Sequence, residues 1–319
     1  MFLTVTIQTY NHAGVLAETL ESLRALRCSK NIDYEILVVN NNSTDHTSEV
    51  IRSYANILAP RLRSVFEPRQ GLSHARNRAL HEARGEIVCF IDDDVKVDPG
   101  WLQAVSTAFI KYSASVVGGR SYLIYPTCRP AWLHPKRESL LSRVDYGTRT
   151  LVNTDKELFG LNFSVLRRIA LDVGGFDTNL GRCGKSLISG EEKALLERIQ
   201  QSGGIIVYEP QAFVGHRVSK KRLSKWWFLK RCYFHGVTSI RIGMLRGKTP
   251  KLAQYLEHAI RCWGSLARTA FFDYTKPEDL FDKQLIAASS LGSLIETARH
   301  LLNTNFNGTV YAQKSNLAS

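Results

Sequence analysis

An apolar run that ends abruptly in three carboxylates constrains this chain more than any other feature. Ile87-Val-Cys-Phe-Ile91 leads directly into Asp92, Asp93 and Asp94. A run of this length, opened by Gly85 and closed by acidic residues, suits a strand covered on both faces. The three like charges repel one another and have no partner in the local sequence. A divalent cation held by oxygen ligands relieves that repulsion. Taken alone, the triplet is equally well a solvated acidic turn.

The chain on either side repeats the pattern. Leu3-Thr-Val-Thr-Ile-Gln8 and Glu35-Ile-Leu-Val-Val39 read as strands, and a third fits Leu62 to Glu67. Between them, Ala13 to Leu26 has Val15, Leu16, Leu20, Leu23 and Leu26 on one helical face, and a second helix runs to about Tyr54. A third opens at Gly71-Leu-Ser-His-Ala-Arg76-Asn77 and runs to about Ala83. Strands alternating with helices across short loops predict an α/β fold with a doubly wound, mostly parallel sheet. Ligands of such sheets bind beyond the carboxyl ends of the strands. Three polar clusters fall there: Thr9–Asn11, Asn40–Asp45 and Asp92–Asp94. No GxGxxG follows the first strand and no GxxxxGK[ST] occurs, so neither a dinucleotide fingerprint nor a P-loop is present.

The 319 residues allow one large or two modest domains. Charge divides them unevenly. Met1–His216 carries 25 Lys and Arg against 23 Asp and Glu, and Arg217–Ser319 carries 17 against 6. A nearly neutral domain, 1–216, followed by a basic extension, 217–319, is the expected organisation. The extension suits an anionic surface better than the whole chain suits nucleic acid. Six scattered cysteines without paired spacing fit a reducing cytoplasm. The start of the chain lacks a basic n-region, so no signal peptide is expected. The longest apolar candidate, Gln284 to Ile295, is shorter than the roughly 20 residues a membrane span needs.

Motifs then accumulate in order. They are Gln8-Thr9-Tyr10-Asn11, Val38-Val39-Asn40-Asn41-Asn42-Ser43-Thr44-Asp45, the Gly71–Asn77 segment, Phe90-Ile91-Asp92-Asp93-Asp94 and Pro99-Gly100-Trp101-Leu102. Gly160-Leu161-Asn162-Phe163-Ser164, Val173–Asp177, Ser189-Gly190-Glu191-Glu192 and Val214-Gly215-His216 follow, the last after a stretch, Gly204 to Tyr208, that reads as a strand with a turn at Pro210. This succession, over about residues 2 to 240, resembles the inverting family 2 glycosyltransferases of GT-A fold. The resemblance implies a nucleoside-diphosphate sugar donor, with UDP expected, and Mn2+ or Mg2+ as cofactor. By the same likeness Asp94 ligates the ion, His216 is a further ligand, and Asp92 and Asp93 lie against ribose and sugar. Thr9, Asn11, Asn40 and Arg76 fall to the nucleotide. Asn40 stands where the family usually has Asp; it keeps a carbonyl acceptor and loses the charge. Glu192 stands where the family has the Asp that serves as general base, and Glu191 is left as an alternative. A carboxylate can take a hydroxyl proton at either position if it reaches the nucleophile. Read without the resemblance, Ser189 caps a helix with acidic residues in its first turn. Residues 120 to 158, with Tyr122, Tyr125 and Trp132, are either acceptor contacts or an ordinary packed excursion.

In the extension, Leu223, Trp226, Trp227, Leu229, Tyr233 and Phe234 form an apolar helical stripe opposite basic residues. A second stripe takes Leu285, Leu291, Leu294, Ile295, Ala298 and Leu301. Such helices either contact an anionic membrane surface or pack on the catalytic domain. The residues from Asn303 on are expected to fray. The whole reads as a glycosyltransferase acting on a glycan or lipid-linked acceptor at the cytoplasmic face of a membrane. A non-catalytic nucleotide-sugar-binding member and a sugar nucleotidyltransferase are the alternatives. The second needs a Gly-rich, Arg-containing loop after the first strand, and Thr9-Tyr10-Asn11-His12-Ala13 is not one.

Overall fold

A computed structural model describes the backbone of residues 1–271 and 277–315 and most side chains up to 302. Two compact units divide the chain: Met1–Lys185 with Glu191–Arg222, and Ser186–Gly190 with Leu223–Ser319.

The first unit opens as β1 (Phe2–Thr9), α1 (Ala13–Arg24), β2 (Asp33–Asn40), α2 (Thr47–Ile57), β3 (Leu62–Phe66), α3 (Leu72–Glu82) and β4 (Ile87–Asp92). The four strands pair in parallel, in the order β3-β2-β1-β4. Successive β4 side chains point to opposite faces, as strand geometry requires. Ile87, Cys89 and Ile91 join one apolar layer with Leu16 and Leu20 of α1. Val88 and Phe90 join the other with Ala75 and Ala79 of α3. Both layers are closed to water, which is why the apolar run is unbroken. Each fully buried Leu or Phe contributes about 1.5–3 kcal/mol. The ladder sets Thr9 opposite Asn40 and Gln8 opposite Asp92. The three polar clusters therefore leave the sheet at one level.

The sheet continues through β5 (Val95–Val97), α4 (Trp101–Tyr112), β6 (Val116–Ile124), β7 (Leu151–Val152), β8 (Asn162–Leu166), α5 (Arg167–Asp172), α6 (Glu191–Gln201) and β9 (Ile206–Arg217). Beyond β4 the order is β8-β6-β9-β5, with β7 also on β9. Here the sheet is mixed: β8 is antiparallel to β4 and β6, and β5 antiparallel to β9. Asn162 pins this half. Its amide donates to Ala212 O at 2.7 Å and Arg120 O at 3.1 Å and accepts from Trp101 Nε1 at 2.8 Å. The sequence predicts a strand ending at Tyr208 and a turn at Pro210; the strand instead runs on to Arg217. The register steps from Gly119 opposite Glu209 to Ser121 opposite Val214. Pro210 sits in the resulting bulge, where the missing N–H costs no ladder bond.

The second unit holds α7 (Lys225–Leu245), α8 (Leu252–Phe271) and α9 (Pro277–Ser315). Its inward faces differ from the predicted stripes. On α7, Phe228, Cys232, Gly236, Val237, Thr238 and Ile242 are buried, while Trp226 is 73% exposed. On α9, Phe281, Leu285, Ala287, Ser290, Ser293, Glu296 and Thr297 turn inward, and Leu291 and Ile295 stay exposed. The reason is close approach. A Cβ on Gly236 would collide with Ser289 O, and one on Gly292 with Tyr233 O. Backbones this near select the faces with the smallest residues, not the most apolar ones. Arg241 reaches the buried Glu296 at 2.8 Å. The backbone of α9 continues to Ser315, beyond the expected fraying point at Asn303; the last residues of that stretch, 316–319, lie outside the described residues. Among the described residues, no helix is long and apolar enough to cross a membrane.

Candidate active site

A cavity opens over the carboxyl ends of β1 and β4 in the first unit. Thr9, Asn41, Gly71 and the three aspartates line it, with Arg182 and Arg222. Thr9 ends β1; its buried Oγ1 has no partner. Asn11 adopts φ 54°, a left-handed turn that Asn tolerates well. Its Oδ1 accepts from Thr44 N at 2.7 Å, tying the loop after β1 to the loop after β2. Asn40 is occupied within its own loop: Oδ1 accepts from Ser43 N at 2.9 Å and Nδ2 donates to Ser48 Oγ at 3.1 Å. Its neighbour Asn41 is the one that lines the cavity, holding Glu67 O, Arg69 O and Gly71 N.

The triple aspartate splits into three environments. Asp93 Oδ1 accepts from His12 Nδ1 at 3.0 Å, and its backbone oxygen takes the Thr19 hydroxyl. The hydrogen bond to Asp93 raises the His12 imidazole above its ordinary pKa, against partial burial. Asp94 is buried. The pairing of β5 with β9 sets Val95 opposite His216 and so brings His216 to Asp94. His216 Nε2 lies 3.3 Å from Asp94 Oδ2. His216 Nδ1 is 2.7 Å from Leu141 O, so that nitrogen carries the proton and Nε2 presents its lone pair. Arg222 Nη1 donates to that lone pair at 2.8 Å, and its Nη2 lies 3.4 Å from Asp94 Oδ2. Burial opposes ionisation of Asp94, but the positive charges of Arg222 and Arg182 outweigh it and hold the carboxyl below the usual range.

These residues fit a divalent cation. Asp94 Oδ1 is buried with no hydrogen-bond partner. A guanidinium already places positive charge between imidazole and carboxylate. The Nδ1–H to Leu141 bond orients the ring as metal-ligating histidines are oriented. Among the described residues no cluster of three or more His, Cys, Asp or Glu has metal-site geometry. One carboxylate and one imidazole suit an ion whose remaining ligands are water and substrate phosphate oxygens.

The second acidic pair opens α6. Arg76, 1% exposed, contacts Glu191 Oε1 at 2.8 Å and Glu192 Oε1 at 3.0 Å through Nη1, and Asp92 Oδ1 at 3.5 Å through Nη2. Gly160 N also donates to Glu192 Oε1, at 2.9 Å. Burial and the Glu192 charge push Glu191 up to about 7, against Arg76. Glu192 is also desolvated, though its side chain stays 16% exposed, and Arg76 and the Gly160 N–H hold it below the ordinary carboxylate range. The environment thus separates the two: one proton-bearing near neutrality, one ionised. Ser189 Oγ accepts from Arg231 Nη1 at 3.0 Å.

In 120–158, Tyr125 donates to Glu138 at 2.9 Å and Tyr122 packs on Phe213. A second cavity lies by Tyr146, Glu157 and Phe159, next in sequence to Gly160. Sequence reasoning missed His12, Asn41, Arg182 and Arg222. Asn41 could have been found as the middle residue of a strand-end triplet. Arg182 sits in a loop and Arg222 in a short 3-10 turn (Lys220–Leu223) after β9, and only tertiary structure delivers either to the cavity.

Comparison with known proteins identifies the family. The model of the family Glycosyl transferase family 2 matches residues 4–173. The glucosyl-dolichyl phosphate glucuronosyltransferase of Haloferax volcanii is 27% identical over 225 residues, 70% of this chain and 68% of that protein. The glycosyltransferase AglE of the same organism is 24% identical over 285 residues, 85% and 89% of the two chains. Among solved structures, the mannosyltransferase PcManGT from Pyrobaculum calidifontis, in complex with GDP-Man and Mn2+, superposes with a TM-score of 0.63 at 19% identity. That match covers 92% of this chain and 86% of PcManGT. The chain belongs to glycosyl transferase family 2 and is a glycosyltransferase.

Proposed function

We propose that this enzyme moves a sugar from a nucleoside diphosphate, with UDP the expected nucleotide, to a hydroxyl of a glycan or lipid-linked acceptor, in one inverting displacement. The observation that carries this reading is the pairing of two sites in one unit: Asp94 with His216, and Glu192 held ionised by Arg76. The first unit is the catalytic domain and the helical unit its extension. Asp94 and His216 would hold Mn2+ or Mg2+, which neutralises charge on a departing diphosphate. Thr9 and Asn11 fall to the nucleotide side and Asp92 and Asp93 to ribose and sugar. Glu192 accepts the acceptor hydroxyl proton as that oxygen bonds to the sugar C1; the C1–O bond to diphosphate breaks and its electron pair leaves with the phosphate. Glu191, buried behind it, supports the pair. The glucuronosyltransferase relative is named for a lipid-linked sugar, which favours an acceptor of that class here.

The test is a panel of nucleotide sugars with Mn2+, read as free nucleoside diphosphate with and without acceptors. Asp94→Asn and Glu192→Gln are each expected to abolish transfer, a loss of about 100-fold or more. Near-normal turnover in either variant overturns the role assigned to that residue.

A further inference from the structure

We propose that Arg76 is the positioning residue for the catalytic base: it fixes the Glu192 carboxylate in place and links it to Asp92 at the donor site. The assignment rests on the transfer reaction proposed above. It gives Arg76 a different task from the nucleotide contact that the family likeness implies.

The geometry is specific. One guanidinium from α3 serves three carboxylates from two other elements, Asp92 at the end of β4 and Glu191 and Glu192 at the start of α6. Arg76 and Glu191 are closed to solvent, at 1% and 2% side-chain exposure, whereas Glu192 and Asp92 remain open, at 16% and 35%. The two open carboxylates are those with chemical tasks; the two closed groups brace them. The ring of Phe176 lies 5.5 Å from the guanidinium carbon and backs it. Gly160 completes the seat, since a Cβ there would collide with both Arg76 Nη2 and Glu192 Oε1. Burying a charge set of this kind costs desolvation that apolar residues would avoid. The arrangement is explained if a carboxylate has to be kept ionised and still at one place.

Charge balance points the same way. One guanidinium does not neutralise three carboxylates. Glu191 is the most enclosed of the three, and its Oε2 has no partner. Within the pair that opens α6 it is also the one pushed upward, to about 7; burial raises Asp92 too. With a proton on Glu191, the positive charge of Arg76 is left to Glu192 and Asp92. The charged groups that face Glu192 are Arg76 from α3 and Glu191 on its own helix; Arg182 and Asp92 complete the surrounding charge.

The experiment compares wild type, Arg76→Gln, Arg76→Lys, Glu192→Gln and the double variant Arg76→Gln/Glu192→Gln. Kinetics are run against pH, UDP affinity is measured with Mn2+ by calorimetry, and urea midpoints are recorded. In Arg76→Gln, kcat should fall about 100-fold, with UDP affinity within about threefold of wild type. The acidic limb of the kcat profile should move up by about one pH unit or more, because a cation that favours the ionised base is gone. Arg76→Lys should recover part of kcat and return the limb toward its wild-type position. Loss of UDP affinity with kcat kept would assign Arg76 to the nucleotide and overturn the proposal. A lower kcat with an unmoved limb would reduce it to a structural ion pair. If Arg76→Gln does not fold, Arg76→Lys decides alone: reduced kcat at unchanged UDP affinity supports the positioning role, and reduced UDP affinity overturns it. If wild type transfers no sugar, the proposed reaction fails separately, and the urea midpoints still decide the tether. Non-additive effects of the two single substitutions support it, and additive effects overturn it.

Discussion

Gly160 shows how little freedom single positions have around the base. Its N–H donates to Glu192 Oε1, and a side chain there would meet Arg76 and Glu192. Gly160→Ala should cost about 1–3 kcal/mol of unfolding stability through overpacking and lower kcat more than it changes donor KM; urea unfolding and steady-state kinetics check both. Glu191 makes a pH prediction of its own. A free glutamate titrates near 4.5, and in the fold this one is raised to about 7. The folded state therefore binds the extra proton between those values. The stability it contributes is complete below about pH 4.5 and is lost as pH rises toward 7. Glu192 and Asp94, held low, work in the opposite sense: their contribution is present above the unfolded carboxylate range and lost as pH falls. Melting temperatures of wild type and Glu191→Gln between pH 5 and 8 should diverge with rising pH, wild type losing more. Parallel curves would show that Glu191 titrates normally.

At the scale of elements, the strands were legible and the helical faces were not. β1, β2 and β4 announce themselves as apolar runs ending in polar residues, because both their faces are covered. The β9 strand was cut short in the sequence reading, since Pro210 looks like a turn until a bulge absorbs it. The stripes on α7 and α9 misled for a different reason. Hydrophobicity names the face that prefers to leave water, but the crossing between these helices is set by Gly236 and Gly292. Gly236→Leu should lower stability by about 3 kcal/mol or more, because backbone atoms of α9 cannot yield as side chains do. Thermal unfolding of that variant against Gly243→Leu, where a Cβ meets nothing within contact distance, isolates the effect.

For the molecule as a whole, charge and exposed apolar side chains meet in the helical unit. Residues 223–319 hold 13 basic against 6 acidic residues, and Trp226, Ile260 and Trp263 are each more than 70% exposed. This suits an anionic bilayer surface, one of the two placements expected of these helices from their sequence. Flotation with vesicles of phosphatidylcholine and phosphatidylserine should show binding at low salt that weakens toward ~0.15 M salt, where the screening length is about 8 Å. Trp263→Ala should weaken it further. Absence of binding at low salt removes the membrane proposal and leaves these helices a solvated basic surface.

The sequence by itself determined the strand–helix order, the sheet's covered faces and the strand ends where a ligand belongs. These follow from local periodicity, which each segment carries in its own residues. Its succession of motifs also singled out Asp94, His216 and the Glu191–Glu192 pair. Only the tertiary structure decided what those residues touch. It set His216 beside Asp94 through the β5–β9 ladder, put Arg222 between them, and gave Arg76 to the acidic pair. It also turned Asn40 into its own loop and left Asn41 at the cavity. Such contacts join positions far apart in sequence, and the registers and loops that bring them together are fixed by packing over the whole unit.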